Sequence, residues 1–344
     1  MTVVKMRDVA AHAGVSVSTV SKILSGSAAS SQIPAHTIER VRLSASQLGY
    51  IPNAVARSLR TQRTREIGVV LGMETYPEPA ALTLDGAFLL GLIDAATVCH
   101  LPGVVVYPRE ANGVIANISR YLDGRIDGLL VRSSTPHQEE QLLRLLAESP
   151  LPVVAIWTQD VPTTVGYVDV DHFTGARQAV KYLLELGHRR IAYVEPAPVF
   201  EHPHFLARYR GYQQALLDEQ IQPRPEWHVI GVEREKIEAL LNAPEPITAI
   251  FTPNDITAGE VATLLYSMRL HIPTDISLVG FDDIANAHLI AGGLTTVHQP
   301  IQEISMQAMR NLTALIAGGS AEESRTVLAP RLVIRNSCAP PIVL

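Results

Sequence analysis

Residues 6–24 read MRDVAAHAGVSVSTVSKIL, and this stretch decides how the first fifty residues fold. The apolar residues between Met6 and Ala13 recur at the three- and four-residue spacing of one helix face, which predicts a helix that ends at Gly14. A second helix is predicted over 17–24, because Ser16 is a typical N-cap and Val20, Ile23 and Leu24 share one face. Two short helices joined by a tight glycine turn form a helix-turn-helix, and a third helix is predicted over 35–48.

Charge divides the chain into two parts. Residues 1–65 contain nine lysines and arginines and two acids, a net charge of +7, whereas residues 66–344 contain 19 bases and 32 acids, a net charge of −13. A small basic segment on a large acidic body is the asymmetry expected when one end of a protein meets a polyanion. Residues 54–60 are good helix formers, but so short a helix is expected to be ordered only when something packs on it.

Composition excludes several classes of protein. The 344 residues are 47% hydrophobic and 18% charged, as in an ordinary globular protein of about two domains. No apolar run is long enough to cross a bilayer, and the first thirty residues lack the features of an export signal, so a cytoplasmic protein is expected. Cys99 and Cys338 are too few for a disulfide framework or a cysteine-rich zinc site.

The chain contains none of the common catalytic motifs, so neither an enzyme nor a cofactor is expected. His202 and His204, with Glu201, form the only arrangement that hints at a metal. The neighbouring prolines favour an exposed loop instead, and no metal site is expected.

From residue 67 onward, short apolar runs alternate with amphipathic segments. Strands are predicted at 67–71, 103–107, 128–131, 153–157, 167–170, 190–194, 249–252 and 277–281. Helices are predicted between most of them, at 82–98, 138–147, 174–186 and 256–268. This alternation predicts parallel sheets, and about 280 residues favour two lobes, with ligands bound in the crevice at the carboxyl ends of the strands.

Several segments resemble the lactose-repressor (LacI/GalR) family of bacterial transcription regulators. In the basic part these are MRDVA at 6–10, AGVSVSTVS at 13–21 and LGYIPNAVARSLR at 48–60. In the acidic part they are LGHRRIA at 186–192, RYRGY at 208–212, ND at 254–255, PTDISLVGFDD at 273–283 and LTTVHQP at 294–300. The resemblance covers nearly the whole chain.

The resemblance implies an α/β protein: a small all-α helix-turn-helix head, joined by a hinge helix to a two-lobed core like that of periplasmic binding proteins. The expected boundaries are 1–52 for the head, 53–65 for the hinge helix and linker, and 66–344 for the core. The first lobe is expected at about 66–168 and 299–325, and the second at about 169–296 and 327–340.

The implied function is a ligand-responsive regulator, most often a repressor, that binds a palindromic operator in double-stranded DNA as a homodimer. Its effector is expected to be a small polar metabolite such as a sugar, a sugar derivative or a nucleobase-like compound. The core is expected to dimerise through both lobes, and the end of the chain shows no heptads for a tetramerising coiled coil.

DNA contacts are expected from the second helix and the hinge helix. Val17, Ser18 and Lys22 are the groups expected to read base edges in the major groove, and Lys22 replaces the arginine that is usual in the family. The resemblance makes Leu59 the apolar wedge at a central base step and Ala56 the residue that permits close approach, although Leu59 could instead be a core leucine. The full set of expected DNA-binding residues is Arg7, Ser16, Val17, Ser18, Thr19, Ser21, Lys22, Tyr50, Asn53, Ala56, Arg57, Leu59 and Arg60. The serine-rich segment 25–34 is longer than is usual for this turn.

Effector contacts are expected from polar residues that follow the strands of the core. By resemblance, Arg208 and Asp282 are the strongest candidates, with Asn254 next; alternatively, Arg208 and Asp282 only cap helices or pair with each other. The full set is Tyr76, Arg132, Asp160, Arg208, Asn254, Asp282 and Gln299. Two arginines in this set leave both an anionic ligand and a neutral sugar open.

Two other classes of protein share the two-lobed body. A solute-binding protein would need an export signal and has no use for a basic helical head. An enzyme built on an α/β body would need a catalytic constellation that the sequence does not provide.

Overall fold

The computed structural model describes residues 4–24, 33–51, 53–71, 78–107, 118–132, 136–197 and 203–342. The chain divides into two compact units, Met1–Arg65 and Glu66–Leu344. Residues 25–32, which make up most of the serine-rich segment 25–34, lie outside the described residues.

The first unit contains four helices. They are α1 (Met6–Ala13), α2 (Val17–Leu24), α3 (Ala35–Gln47) and α4 (Ala54–Thr61). The first three bury one shared apolar cluster: Val9, Ala10, Ala13, Val20, Ile23, Val41 and Ala45. Gly14 has a φ of 64°, in the left-handed region that favours glycine, and this allows the chain to turn directly from α1 into α2. The predicted helix-turn-helix is confirmed.

The first lobe of the second unit is built on a parallel sheet of six strands. These are β1 (Ile67–Leu71), β2 (Val104–Tyr107), β3 (Gly128–Arg132), β4 (Val153–Ile156), β5 (Gly166–Val170) and β11 (Arg325–Leu328), in the order β11-β5-β4-β3-β1-β2. Its helices are α5 (Glu78–Val98), α6 (Ile118–Tyr121), α7 (Pro136–Ala147) and α12 (Ile301–Ile316). Apolar residues of α5 and α12 pack in one core cluster with this sheet, and those of α6 and α7 in another, so helices cover both faces.

The second lobe has a parallel sheet of four strands and a single core cluster. The strands are β6 (Ile191–Glu195), β7 (His228–Ile230), β8 (Ala249–Phe251) and β9 (Ser277–Val279), in the order β7-β6-β8-β9. Its helices are α8 (His172–Glu185), α9 (Pro203–Asp218), α10 (Arg234–Leu241) and α11 (Asp255–Ser267).

The chain passes between the lobes three times. It crosses from β5 into α8, returns to the first lobe through β10 (Thr296–His298) and α12, and crosses again from β11 into β12 (Arg331–Val333). Strands β10 and β12 pair antiparallel beside the second lobe. Three connecting segments at one side of a cleft form a hinge about which two lobes can change their relative angle.

Several elements of the second unit were not predicted from the sequence. They are the strands β7, β10, β11 and β12, which have only three or four residues and little alternation, and the helices α6, α9, α10 and α12. Strands β5 and β11 extend to Val170 and Leu328, beyond the lobe boundaries expected at 168 and 325. The predicted class, a helix-turn-helix head with a two-lobed α/β core, is correct. Among the described helices, none has the length and apolarity needed to cross a membrane.

Candidate functional site

The second helix of the head presents the side chains that the sequence singles out. The Oγ of Ser16 accepts a hydrogen bond from the backbone N–H of Thr19 at 3.1 Å, so Ser16 caps α2. Val17 is 46% exposed although it is apolar, and Ser18 and Lys22 are exposed as well. An exposed row with a methyl-bearing side chain, a hydroxyl and a long cation has the chemistry that reads base edges.

Helix α4 carries the candidate wedge. The side chain of Asn53 caps this helix, because its Oδ1 accepts from the backbone N–H of Ala56 at 3.1 Å. Leu59 is 78% exposed, so the interpretation of Leu59 as a core leucine is wrong. Ala56 is exposed, whereas the side chains of Arg57 and Arg60 lie outside the described part of the structure.

The remaining residues expected to bind DNA differ in exposure. Arg7 on α1 is exposed and lies 3.7 Å from Asp8. Thr19, Ser21 and Tyr50 are half-buried, and Tyr50 packs against the core cluster of the head.

A chain of buried hydrogen bonds joins the two lobes of the core. Trp157, directly after β4, donates through Nε1 to Oε1 of Gln299 at 3.0 Å. Gln299 donates in turn from Nε2 to Oδ1 of Asp282 at 2.7 Å. Nη1 of Arg208 lies 3.1 Å from the same oxygen, and the side chains of Arg208 and Asp282 are each only 3% exposed. The effector candidates Arg208, Asp282 and Gln299 therefore form one cluster.

Backbone strain is concentrated at this cluster. Asp282 has a φ of 113°, the following Asp283 a φ of 56°, and Trp157 a φ of 61°. Non-glycine residues rarely adopt such angles, and they persist only where the surrounding structure enforces them, most often at functional sites. Asp255 provides part of that support, because its Oδ2 accepts from the backbone N–H of Ile284, just after the strained turn, at 2.9 Å.

A second ion pair lies on the first-lobe side. Arg132, the last residue of β3, pairs with Asp85 of α5, and its guanidinium lies 4.6 Å from the centre of the Trp157 ring. Phe88 of the same helix packs against Trp157 with ring centres 5.3 Å apart. Each arginine of the cleft is thus paired with a carboxylate and stacked on an aromatic ring, because Arg208 also lies 3.8 Å from the Phe281 ring centre.

Burial shifts the pKa of the acids in the cluster. It raises the pKa of Asp282, and the positive charge of Arg208 partly offsets this effect. Asp85 behaves alike: burial raises its pKa, and Arg132 opposes the rise. Asp255 is completely buried beside the Asp282 carboxylate, and both effects hold its pKa well above the usual range.

The other effector candidates lie outside this cluster. Asn254 caps α11, since its Oδ1 accepts from the backbone N–H of Thr257 at 2.7 Å, while its buried Nδ2 has no partner among the described residues. Asp160 is exposed and lines a neighbouring cavity of about 490 Å³ together with Asp169 and His172. Tyr76 lies outside the described residues.

His204 lies in the first turn of α9 and not in the exposed loop that was predicted, and its ring is 5.4 Å from that of His172, whereas Glu201 and His202 lie outside the described residues. Within the described ranges no group of three potential ligands could hold a metal ion.

Two contributors were missed in the sequence. Asp169 and His172 hydrogen-bond to each other, and His172 also contacts Arg208. The only signal in the sequence was their position at the end of a strand, where His172 begins the next helix.

A helix-turn-helix head and a two-lobed core with a strained polar cluster between its lobes define a ligand-responsive DNA-binding regulator. Residues 5–53 match the family model described as bacterial regulatory proteins, lacI family, and residues 180–338 match that of the periplasmic binding protein-like domain. The HTH-type transcriptional repressor PurR of Haemophilus influenzae (strain PittEE) is 30% identical over 96% of this chain and 98% of its own.

The HTH-type transcriptional regulator CelR of Thermobifida fusca is 31% identical over 96% of each chain. A solved CelR–cellobiose complex has a TM-score of 0.66 and 27% identity, covering 97% of this chain and 99% of that one. The chain belongs to the LacI family of bacterial regulatory proteins, and it is a transcription regulator rather than an enzyme.

Proposed function

We propose that this regulator is a repressor that binds a palindromic operator as a homodimer and responds to an uncharged polar metabolite bound between its lobes. The observation that carries the ligand site is the buried chain from Trp157 through Gln299 to Asp282 and Arg208, which spans both lobes and holds two strained residues. A ligand that contacts both ends of this chain would bias the angle between the lobes, and so the affinity for DNA.

The charges of the cleft favour an uncharged ligand over an anionic one. Arg132 and Arg208 are each neutralised by a buried carboxylate, and the neighbouring cavity adds the acids Asp160 and Asp169. The described contacts of the Asp282 carboxylate with Gln299 and Arg208 both fall on Oδ1, which leaves Oδ2 to accept from a ligand hydroxyl. A paired carboxylate and guanidinium suit the neighbouring hydroxyls of a sugar, whereas a phosphate would meet uncompensated negative charge.

The proposed dimer is supported by apolar side chains left exposed on both lobes. Leu90 and Ile93 on α5 are 66% and 51% exposed, and in the second lobe Leu289 and Tyr266 are 71% and 46% exposed. Exposed apolar patches of this kind mark protein interfaces. Leu90→Glu is expected to shift the mass measured by light scattering from dimer toward monomer, whereas Leu145→Glu, on the exposed side of α7, should leave it unchanged.

On DNA, we propose that α2 places Val17, Ser18 and Lys22 in the major groove and that Leu59 of α4 unstacks a central base step. Arg7, Thr19, Ser21, Tyr50, Asn53, Arg57 and Arg60 would contact the backbone or support these elements. The proposed location is the cytoplasm, where an operator is accessible to a transcription regulator.

The decisive experiment is selection from a random DNA pool at fixed, near-physiological salt, with and without added metabolites. We expect an enriched palindrome with half-sites about one helical turn apart. A parallel melting-temperature screen would include cellobiose, ribose, free nucleobases and the phosphorylated counterparts of the sugars. If no sequence is enriched under any condition, the proposed operator binding is refuted. If a phosphorylated compound shifts the melting temperature more than its neutral counterpart does, the proposal of an uncharged ligand is refuted.

A further inference from the structure

His172 and Asp169 make a second, previously unexpected connection to Arg208. The Nε of Arg208 donates to Nδ1 of His172 at 3.3 Å, and Nη2 lies 3.2 Å from the same nitrogen. On the other side of the ring, Nε2 of His172 lies 3.2 Å from Oδ1 of Asp169. The second carboxylate oxygen of Asp169 accepts from Gln159 at 2.9 Å.

These contacts fix the protonation of the imidazole. An arginine keeps its proton, so it can only donate, and Nδ1 of His172 must therefore accept. The single proton of the neutral ring is then on Nε2, where it is donated to Asp169. Burial and the Arg208 charge lower the pKa of His172, while Asp169 and Asp282 oppose them, and the net lowering agrees with a neutral ring.

The guanidinium of Arg208 is restrained on every side. Nη1 contacts Asp282 and the carbonyl oxygen of Pro253, Nε and Nη2 contact His172, and the ring of Phe281 lies 3.8 Å from the guanidinium carbon. Among the described contacts, one N–H of Nη2 remains for a ligand. A guanidinium held in this way can bind a ligand without a further loss of side-chain entropy.

We propose that Asp169 and His172 are positioning residues of the effector site, which hold the guanidinium of Arg208 in the orientation that binds ligand. This rests on the proposed function of the cleft. Asp169 lies in β5 of the first lobe, whereas Arg208 lies in α9 of the second, so the orientation of the guanidinium depends on the relative position of the lobes. Closure of the lobes and formation of the ligand site are thereby coupled.

Protonation of His172 would break this arrangement. Nδ1 would become a donor facing a donor, and two adjacent cations would repel each other. The groups that face His172 are Asp169 of β5, Arg208 and His204 of α9, and Asp282 and Phe281 after β9. Affinity for ligand should therefore fall on acidification, below the usual range of histidine titration.

The test compares full-length protein, labelled with ¹⁵N at arginine and histidine, with three variants by NMR. His172→Phe keeps a ring but removes the acceptor, His172→Asn keeps an acceptor near Nδ1, and Asp169→Asn leaves the ring without a carboxylate. The Nε–H signal of Arg208 is assigned by its loss in Arg208→Lys. We expect His172→Phe to speed exchange of this proton with water by roughly tenfold or more, and His172→Asn to restore slow exchange.

Asp169→Asn should leave the fold intact and lower the pKa of His172 further, since the carboxylate favours the charged ring. Asp169→Asn should also speed exchange of the Arg208 Nε–H with water. If His172→Phe fails to fold, this measurement alone tests whether Asp169 and His172 position Arg208. Unchanged exchange in Asp169→Asn, or a His172 ring protonated on Nδ1 in the wild type, would overturn the proposal.

Ligand titrations at about pH 7.5 and about pH 4.5 separate this proposal from the proposed function. The probes are cellobiose and ribose. Where either binds, its affinity should fall at the lower pH in the wild type and much less in His172→Asn; equal falls in both would count against positioning. If neither these sugars nor any other screened compound binds while the NMR results hold, the ligand assignment fails and the positioning of Arg208 stands.

Discussion

Replacing either partner of the ion pair between Arg208 and Asp282 should destabilise the protein, and the loss of stability should depend on pH in one variant but not in the other. Both side chains are 3% exposed, so removing either partner leaves a buried charge. Asp282→Asn leaves Arg208, which cannot lose its proton, and breaking a buried pair in this way costs about 3 to 5 kcal/mol. The retained amide oxygen still accepts from Gln299, which places the expected cost near the lower limit.

Arg208→Met leaves Asp282, which can escape the cost of a buried charge by taking up a proton. Burial already raises the pKa of this carboxyl, and loss of Arg208 removes the opposing effect. A folded-state pKa above the unfolded value gives stability that is complete below the unfolded pKa and is lost as pH rises through the folded one. The free energy of unfolding should therefore fall with rising pH, by at most about 1.4 kcal/mol per pH unit in that window.

Urea unfolding at fixed protein concentration and ionic strength, between about pH 5 and about pH 8, measures both costs. Relative to the wild type, Arg208→Met should lose stability progressively with pH, whereas the deficit of Asp282→Asn should stay nearly constant. A constant deficit for Arg208→Met would show that Asp282 stays charged without its partner, and would refute the account of a buried pair.

Three further predictions concern DNA binding, acid stability and thiol reactivity. Leu59→Ala should weaken operator binding by a few kcal/mol at stated salt and leave non-specific binding unchanged, while Leu43→Ala, exposed on α3, should alter neither; equal loss on both kinds of DNA would contradict the wedge. Burial lowers the pKa of His188, so its contribution to stability is present above the usual histidine pKa and is lost as pH falls toward the lowered value. His188→Gln should therefore reduce the loss of stability in acid measured by calorimetry, and an unchanged acid loss would contradict this account. Burial raises the pKa of Cys338 to about 11, so at about pH 8 a thiol reagent should modify Cys338 much more slowly in the native protein than after unfolding, and equal rates would contradict this.

Local signals in the sequence were sufficient for the head. Gly14 and Ser16 end one helix and start the next through interactions within four residues, and the structure shows both the left-handed glycine and the serine cap. Exposure of Val17 followed from helical periodicity, because this residue does not fall on the buried face of α2, whereas the role expected of Leu59 came from the resemblance. Contacts so close in sequence leave little for tertiary packing to change.

The cluster in the core depends on contacts that periodicity does not show. His172 and Arg208 are 36 positions apart, and Trp157 and Gln299 are 142 apart. The resemblance placed Arg208 and Asp282 at one site, but it did not reveal that His172 and Asp169 contact Arg208 there. Asn254 also serves as a helix cap through its Oδ1, which its position after a strand did not predict, and its contact with an effector stays a prediction.

The energy needed for regulation is comparable to that of a single hydrogen bond in this cluster. Coupling between two sites typically amounts to about 1 to 3 kcal/mol, and one hydrogen bond to a charged group contributes about 1.5 to 3 kcal/mol. The bond between Gln299 and the Asp282 carboxylate lies where the chain returns to the first lobe, and the contacts of Arg208 reach β5 through His172. A ligand that strengthens or breaks any one of these bonds in a single pose of the lobes therefore supplies enough free energy to change the affinity for DNA, without a large rearrangement of either lobe.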